Sequence, residues 1–306
     1  MRARGINYDT GFLPGEELSR KVFDRETVAG DMRAIAADLH CSAVRISGGS
    51  PERLTVAAEE AARLGLEVWF APFPVDLGPA ETSDMIAECA ERAAAVAGEV
   101  VFVAGCETSA FCAGYMPGEN YLARLENLSK PEFWGQIEPV MRTFNGYLGE
   151  MAARVRKLFD GRVTYASGPW EFIDWAPFDL VGVDAYRAAY NRDRFREELR
   201  EHFKHGKPVA VTEFGTCAYR GAGELGGMAW RPPADAVRDE AEQVRYFTEL
   251  FDVFEEEGVD TALWFTFAAF GALGDDDLKS YGAVRMLDDT RWEPKQVFHT
   301  IATRYS

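Results

Sequence analysis

The sequence predicts an α/β protein of the (β/α)8 or TIM barrel class, with residues 1–306 forming a single domain. Short, nearly continuous hydrophobic stretches alternate with segments whose apolar residues recur at helical spacing, which is typical of parallel strands covered by helices. Eight such stretches occur along the chain, and this number favours a closed barrel over an open sheet. The length of 306 residues also fits one barrel with additional loops.

The predicted elements are bounded by glycine, proline and small polar residues, which interrupt strands and helices. The strands are expected at residues 5–8, 42–47, 67–73, 100–104, 162–166, 179–186, 209–212 and 261–267. The helices are expected at residues 27–39, 51–64, 83–97, 131–159, 193–203, 234–257 and 294–305. The connection between the fifth and sixth strands is short. Long loops are expected after the fourth strand (108–130) and after the seventh strand (216–233).

The charge and composition exclude several classes of partner. Fifty acidic against 33 basic residues give a net charge of −17, which repels nucleic acid and anionic membranes. No stretch approaches the roughly 20 apolar residues that span a bilayer. A strand pattern begins at once, without the apolar segment of a signal peptide, so we expect a cytoplasmic protein. The five cysteines show no regular spacing, which favours reduced thiols over a disulfide framework.

The active site of a TIM barrel lies at the carboxyl ends of its strands, so the side chains there are the candidate site. They are Asn7, Asp9, Arg45, Glu107, Trp170, Asp184, Tyr186, Glu213 and Trp264. None of the four histidines falls at a strand end. A barrel metallohydrolase needs imidazole ligands for its metal, and a Ser-His-Asp hydrolase needs an imidazole base. The absence of histidine from the strand ends therefore argues against both classes of enzyme. We therefore expect neither a metal nor a cofactor.

Two glutamates remain at strand ends, Glu107 after the fourth strand and Glu213 after the seventh. A buried carboxylate must be well paired or functional, and an ion pair with Arg45 is the structural alternative for Glu213. Two carboxyl groups flanking one bond are the requirement for glycoside cleavage. Their separation would decide between retention and inversion of the anomeric configuration, and the sequence leaves that choice open.

Other patterns are better explained by structure than by ligand binding. Gly221, Gly223 and Gly226 spell G-x-G-x-x-G, but they neither follow a strand directly nor open a helix, as a dinucleotide site requires. The acidic residues 275–277 lack the spacing of a calcium loop and are expected to form a solvated turn. We expect Cys106, Cys112 and Cys217 to be small apolar filling residues near the active-site face.

Residues 178–186 (FDLVGVDAY), 206–215 (GKPVAVTEFG) and 292–295 (WEPK) resemble glycoside hydrolase clan A, and within it family 113, which contains β-mannanases. The resemblance implies a retaining (β/α)8 glycosidase with Glu213 as nucleophile and Glu107 as acid/base. It also implies that Tyr186 binds the nucleophile, Arg45 keeps it ionised and Trp264 forms the floor of the sugar subsite. Residues 4–15 additionally resemble actinobacterial proteins labelled abortive phage infection protein.

The chain departs from the clan A pattern at Cys106, where an asparagine usually contacts the sugar 2-hydroxyl. A thiol is a poor hydrogen-bond donor, so we expect lower activity, an unusual substrate or altered chemistry. The leading hypothesis is a retaining O-glycoside hydrolase that acts on a neutral glycoside. The alternatives are a biosynthetic enzyme that acts on a natural product and an inert barrel that binds a carbohydrate or protein.

Overall fold

A computed structural model of the protein describes residues 1–12 and 18–306. Over these residues, eight parallel strands form the predicted barrel. They are β1 (Ala3–Asp9), β2 (Ala43–Gly48), β3 (Glu67–Pro72), β4 (Val100–Cys106), β5 (Arg162–Ala166), β6 (Val181–Asp184), β7 (Val209–Phe214) and β8 (Thr261–Trp264). Their order around the sheet is β5-β4-β3-β2-β1-β8-β7-β6. Hydrogen bonds from Ser167 N to Gly182 O (3.0 Å) and from Asp184 N to Ser167 O (2.9 Å) join β5 to β6.

Helices surround the barrel and connect its strands. They are α1 (Arg25–Arg33), α2 (Pro51–Arg63), α3 (Pro79–Ala94), α4 (Thr108–Phe111), α5 (Tyr121–Asn127), α6 (Pro131–Trp134), α7 (Ile137–Val155), α8 (Phe195–Phe203), α9 (Glu240–Glu257) and α10 (Gln296–Tyr305). A π-helical turn, Ala34–Asp38, extends α1. Among the described residues, no helix is both long and apolar enough to cross a bilayer.

The structure differs from the sequence prediction mainly in short elements. The segment 108–130 contains α4 and α5, which are too short to show helical periodicity in the sequence. The helix predicted at 131–159 is divided into α6 and α7 at Gly135, a poor helix former. A small antiparallel pair, β9 (Val284–Met286) and β10 (Trp292–Pro294), precedes α10 and was not predicted. Of the segment 4–15, residues 13–15 lie outside the described residues.

Alternating side chains divide the core into two layers. The inner layer fills the barrel and consists of Ala3, Ala43, Trp69, Ala71, Val101, Val103, Cys106, Ala166, Leu180, Ala210 and Leu263. The outer layer, between the strands and the helices, contains larger side chains such as Phe70, Phe102 and Trp264. Because successive strand residues point to opposite sides, Leu263 belongs to the inner layer and its neighbour Trp264 to the outer one.

A buried ion pair anchors the last segment of the chain to the loop after β8. Lys295 Nζ lies 2.8 Å from Asp277 Oδ1, and both side chains are 1% exposed. Arg238 Nη1 donates a hydrogen bond to the other oxygen of Asp277, Oδ2, at 2.7 Å. The expectation that residues 275–277 form a solvated turn is therefore wrong for Asp277, since two cations make its burial possible.

Candidate active site

Glu213 is the centre of the candidate site. It is the fifth residue of β7 and its side chain is 13% exposed at the carboxyl end of the barrel. Its Oε1 accepts a hydrogen bond from Arg45 Nη1 at 2.6 Å, and its Oε2 accepts one from the Tyr186 hydroxyl at 2.8 Å. Gly215 follows closely, where a side chain would collide with Phe265 O at 2.2 Å. Both oxygens of Glu213 are thus held by hydrogen bonds, which fix the orientation of the carboxyl group.

Asn7 positions the Arg45 side chain that binds Glu213. Asn7 and Arg45 are register partners on β1 and β2, and Arg45 Nη1 donates to Asn7 Oδ1 at 2.8 Å. The Asn7 amide donates in turn to the main-chain oxygens of Thr212 (3.0 Å) and Leu263 (3.2 Å). The Arg45 side chain is 1% exposed. Asn7 therefore belongs to the Glu213 cluster as a residue that positions the arginine.

Asp184 and Cys106 complete the inner part of the cluster. Asp184 Oδ1 accepts from the Thr212 hydroxyl at 2.8 Å, and Cys106 Sγ lies 3.5 Å from Asp184 Oδ2. The same sulfur lies 3.6 Å from Glu213 Oε1. Burial, followed by the charge of Glu213, raises the pKa of Asp184 well above its usual value although Arg45 opposes the shift. The protonated form of Asp184 is therefore favoured, which limits the negative charge beside Glu213.

The ligand atoms of Cys106, Asp184 and Glu213 lie within 4.8 Å of one another and are the group in the described part of the chain that could hold a metal ion. The arrangement argues against this use. Arg45 donates to the same Glu213 oxygen that Cys106 approaches, so a guanidinium already supplies the positive charge there. Burial raises the pKa of Cys106 well above its usual value, which disfavours the thiolate that a metal would need.

Glu107 stands at the end of β4 in the left-handed conformation, with φ 44°. Its side chain is half-buried. Burial raises its pKa well above the usual value, with further contributions from the charges of Asp184, Glu213 and Glu171, and Arg45 offsets only part of this. A carboxyl group with a raised pKa is suited to donate a proton near neutral pH.

Glu171 was missed in the sequence and supports the segment that carries Glu107. Its carboxylate accepts hydrogen bonds from Ser109 N (3.1 Å), Gly168 N (3.0 Å) and the Tyr165 hydroxyl (2.9 Å). Burial raises its pKa to about 7, although these donors oppose the shift. Glu171 follows the turn after β5 rather than ending a strand, which is why it was missed. The clue in the sequence was an acidic residue close to the Gly168-Pro169 turn.

Trp170 lies next to Glu107. Its Nε1 donates to the Ser109 hydroxyl at 3.2 Å, and the ring is half-buried. The glycine at position 168 makes room for both groups, since a Cβ atom there would lie 2.7 Å from the Trp170 ring and 2.9 Å from Glu107 Oε1. The Trp170 ring therefore lies beside Glu107, the candidate acid.

Trp264 is not at the site, so its expected role as the floor of a sugar subsite is wrong. Its side chain is fully buried in the outer layer, with ring centroids 5.4 Å from Phe214 and 5.7 Å from Phe247. The next residue, Phe265, is half-buried instead and its ring lies 5.5 Å from Tyr281. The Tyr281 ring in turn lies 6.2 Å from the ring of Tyr186, whose hydroxyl binds Glu213, so Phe265 belongs to the aromatic group on the Tyr186 side of the site.

Asp9 serves the loop after β1. Its Oδ1 accepts from Gly11 N at 2.7 Å and its Oδ2 accepts from the Ser19 hydroxyl at 2.7 Å. Burial raises the pKa of Asp9, although these hydrogen bonds oppose the shift. The structure thus brings Asn7, Arg45, Asp184, Tyr186 and Glu213 together, with Glu107 and Trp170 beside them, and assigns Asp9 and Trp264 to structural contacts.

Solved structures with a similar fold include glycoside hydrolases. No protein-family sequence model and no curated protein sequence match the chain. A solved GH113 β-1,4-mannanase matches with a TM-score of 0.68 and 15% identity over 99% of both chains. The GH113 β-mannanase of Alicyclobacillus acidocaldarius, solved in complex with ManMIm, matches with a TM-score of 0.66 and 20% identity, covering 99% of this chain and 97% of the other.

A β-glucuronidase from Ruminococcus gnavus, in complex with uronic deoxynojirimycin, also matches, with a TM-score of 0.64 and 14% identity. The match covers 100% of this chain and 50% of the longer glucuronidase chain. At these identities the likeness concerns the fold. The chain has a TIM-barrel fold like that of the solved GH113 β-mannanases.

Proposed function

We propose that the protein is a retaining O-glycoside hydrolase that acts on a neutral glycoside. The observation that carries this proposal is the contrast between two carboxyl groups at one barrel mouth. Glu213 is held at both oxygens by Arg45 and Tyr186, as an ionised nucleophile would be. Glu107 has its pKa raised by burial and by neighbouring acids, as a proton donor would.

In the first step, Glu107 donates its proton to the glycosidic oxygen while Glu213 attacks the anomeric carbon. The bond to the leaving group breaks and a glycosyl ester forms on Glu213. In the second step, the Glu107 carboxylate takes a proton from water, and the water oxygen attacks the anomeric carbon. Glu213 leaves as a carboxylate, and the two displacements together retain the anomeric configuration.

A neutral substrate fits the charges of the site. Glu107, Glu171, Asp184 and Glu213 surround the reacting centre, and Arg45 is already bound to Glu213 and Asn7. An anionic sugar would find the Arg45 cation already paired, and the net charge of −17 would repel it. The GH113 neighbours support a carbohydrate substrate by fold, and we extend that class to this chain as part of the proposal.

A cytoplasmic location is part of the same proposal. All five cysteines, each in the described part of the chain, are unpaired and buried. Reduced thiols are typical of a reducing compartment.

Cys106 favours a second candidate, a glycosidase-like barrel used for biosynthesis on a natural product. Its thiol contacts Glu213 and Asp184, whereas the clan A pattern has an asparagine amide for the substrate. A catalytic pair without that amide could suit a substrate that has no equivalent hydroxyl. Turnover of a glycosylated natural product together with inactivity on simple sugars would support this candidate.

A panel of aryl glycosides of neutral sugars and of glucuronic acid tests the leading proposal. We expect hydrolysis of a neutral member, and proton NMR of the first product should show the anomeric configuration of the substrate. The Glu107→Gln variant should keep activity mainly on substrates with dinitrophenolate leaving groups, because these need no proton. Inversion, or full activity of Glu107→Gln on poor leaving groups, would contradict the mechanism. Binding of sugars without turnover, unchanged in Glu213→Ala, would favour an inert binding barrel.

A further inference from the structure

The main chain of Glu107 is held in a conformation that side chains disfavour. Its φ of 44° and ψ of 31° lie in the left-handed region, which residues other than glycine rarely adopt. Its amide donates to Ala166 O at 2.9 Å, and its carbonyl oxygen accepts from Ala110 N and Phe111 N, both at 3.0 Å. Backbone strain of this kind persists only where surrounding contacts impose it, and it is concentrated at functional sites.

The two amides that follow Glu107 are bound by side chains from the next strand and its turn. Thr108 N donates to the Tyr165 hydroxyl at 2.7 Å, and Ser109 N donates to Glu171 Oε1 at 3.1 Å. The Tyr165 hydroxyl lies 2.9 Å from Glu171 Oε1 and 3.0 Å from Oε2, so it accepts from Thr108 and donates to Glu171. The three consecutive amides of residues 107–109 are therefore fixed by β5 and the segment after it.

The Tyr165 hydroxyl has a fixed place because its ring is tightly packed. Tyr165 is the fourth residue of β5 and is fully buried in the outer layer. Its ring meets Phe144 of α7 edge-on, with centroids 5.9 Å apart, and lies 6.3 Å from the ring of Phe178. Burial, followed by the charge of Glu171, raises the pKa of Tyr165 well above its usual value, so the hydroxyl keeps its proton.

We propose that Tyr165 is a positioning residue for Glu107, on which its hydroxyl acts through the Thr108 amide. This inference rests on the proposed glycosidase function, in which Glu107 donates a proton to the glycosidic oxygen. A general acid works only within hydrogen-bonding distance of the atom that it protonates, so a small displacement of its main chain lowers the rate.

The Tyr165→Phe variant isolates this role. It keeps the packed ring and removes only the hydroxyl, which frees the amide after Glu107. Attack by Glu213 should be unaffected, because Arg45 and Tyr186 hold that carboxyl group from other strands. The variant should therefore lose activity only where the leaving group needs a proton.

The test compares kcat/KM of the wild type and Tyr165→Phe on phenyl and dinitrophenyl glycosides of the neutral sugar that the wild type hydrolyses. This parameter covers the steps up to cleavage of the glycosidic bond, where phenolate needs a proton and dinitrophenolate does not. We expect a loss of about tenfold or more on the phenyl glycoside and of less than about twofold on the dinitrophenyl glycoside. An equal loss on both, or no loss on either, would overturn the proposal.

Tyr305→Phe is the matched control. Tyr305 is a buried residue of α10, and its hydroxyl donates to Gly5 O on β1 at 3.2 Å. The variant should leave the ratio of the two kcat/KM values unchanged, and thermal unfolding shows which variants are folded. If Tyr165→Phe does not fold, Glu171→Gln is assayed in its place with the same expectation, because an amide side chain accepts hydrogen bonds at only one of its two polar atoms.

The two proposals fail in different ways. If the wild type hydrolyses aryl glycosides and Tyr165→Phe shows no selective loss, the hydroxyl has no positioning role and the glycosidase function stands. If the wild type hydrolyses none of them, the glycosidase function fails, and crystal structures of the wild type and Tyr165→Phe then test the position of Glu107. A Glu107 main chain that leaves the left-handed conformation in the variant would support the role of the hydroxyl, and one that keeps it would overturn that role.

Discussion

Arg45 Nη1 donates a 2.6 Å hydrogen bond to Glu213 Oε1 across the mouth of the barrel, from β2 to β7. The guanidinium is 1% exposed and is also bound to Asn7. The pair is therefore buried, oriented and next to the Tyr186 hydroxyl that holds the other oxygen of Glu213.

Replacing Arg45 by glutamine should lower kcat/KM by about 100-fold or more, since Glu213 loses the cation that pairs with it and holds its Oε1 in place. Arg2→Gln is a control, since it removes a 2.5 Å ion pair with Glu67 at the opposite end of the barrel. An Arg45→Gln variant that is folded and keeps normal activity would rule out this role.

Replacing Glu171 by glutamine should move the alkaline limb of kcat/KM to lower pH. The charge of Glu171 is one of the causes that raise the pKa of Glu107, so its removal lowers that pKa and the proton donor is lost earlier as pH rises. Glu249→Gln, on the outer helix α9, is the matched control. An alkaline limb that stays in place would show that Glu171 does not act on the acid.

Glu171 should also make the protein less stable as pH rises. Its pKa is raised from about 4.5 to about 7 in the folded protein, so folding favours its protonated form. The stability it contributes is complete below pH 4.5 and is lost as pH rises through 7, by about 3 kcal/mol in total. Denaturant unfolding between pH 5 and 8 should show this decline in the wild type and a flatter profile in Glu171→Gln. Equal slopes in both proteins would contradict the assignment.

Restoring an amide beside the acid should raise activity. In Cys106→Asn, the side chain can donate to the sugar where the thiol cannot, and we expect kcat/KM to rise about tenfold. Cys89→Ala, at a buried thiol on α3, is the control for loss of a cysteine. A folded Cys106→Asn variant with lower activity would show that the thiol is adapted to a different substrate.

The two aromatic residues at the end of β8 should behave differently. Trp264→Leu should lower the free energy of unfolding by about 3 kcal/mol, because the ring fills the outer layer. Phe265→Leu should affect stability less and raise KM, because Phe265 lies near Tyr281 and Tyr186. Denaturant unfolding and steady-state kinetics measure both effects. A large rise in KM for Trp264→Leu alone would reinstate Trp264 as a substrate contact.

The sequence predicted the barrel and the convergence of Arg45, Tyr186 and Glu213, because the carboxyl ends of parallel strands meet at one mouth. The sequence could not show whether the Trp264 side chain points into the barrel or towards the helices. Strands of a barrel are apolar on both sides, so Leu263 and Trp264 look alike in the sequence although one points inward and the other outward. Glu171 was missed because its position depends on the path of a turn.

The role proposed for Glu213 as nucleophile can be tested by covalent labelling. The protein is incubated with 2-deoxy-2-fluoro mannoside and glucoside that carry a dinitrophenolate leaving group, and its peptides are then examined by mass spectrometry. We predict a covalent fluorosugar on the peptide that contains Glu213, and loss of this label in Glu213→Gln. A label on another residue, or no label while the matching non-fluorinated glycoside is turned over, would contradict the claim.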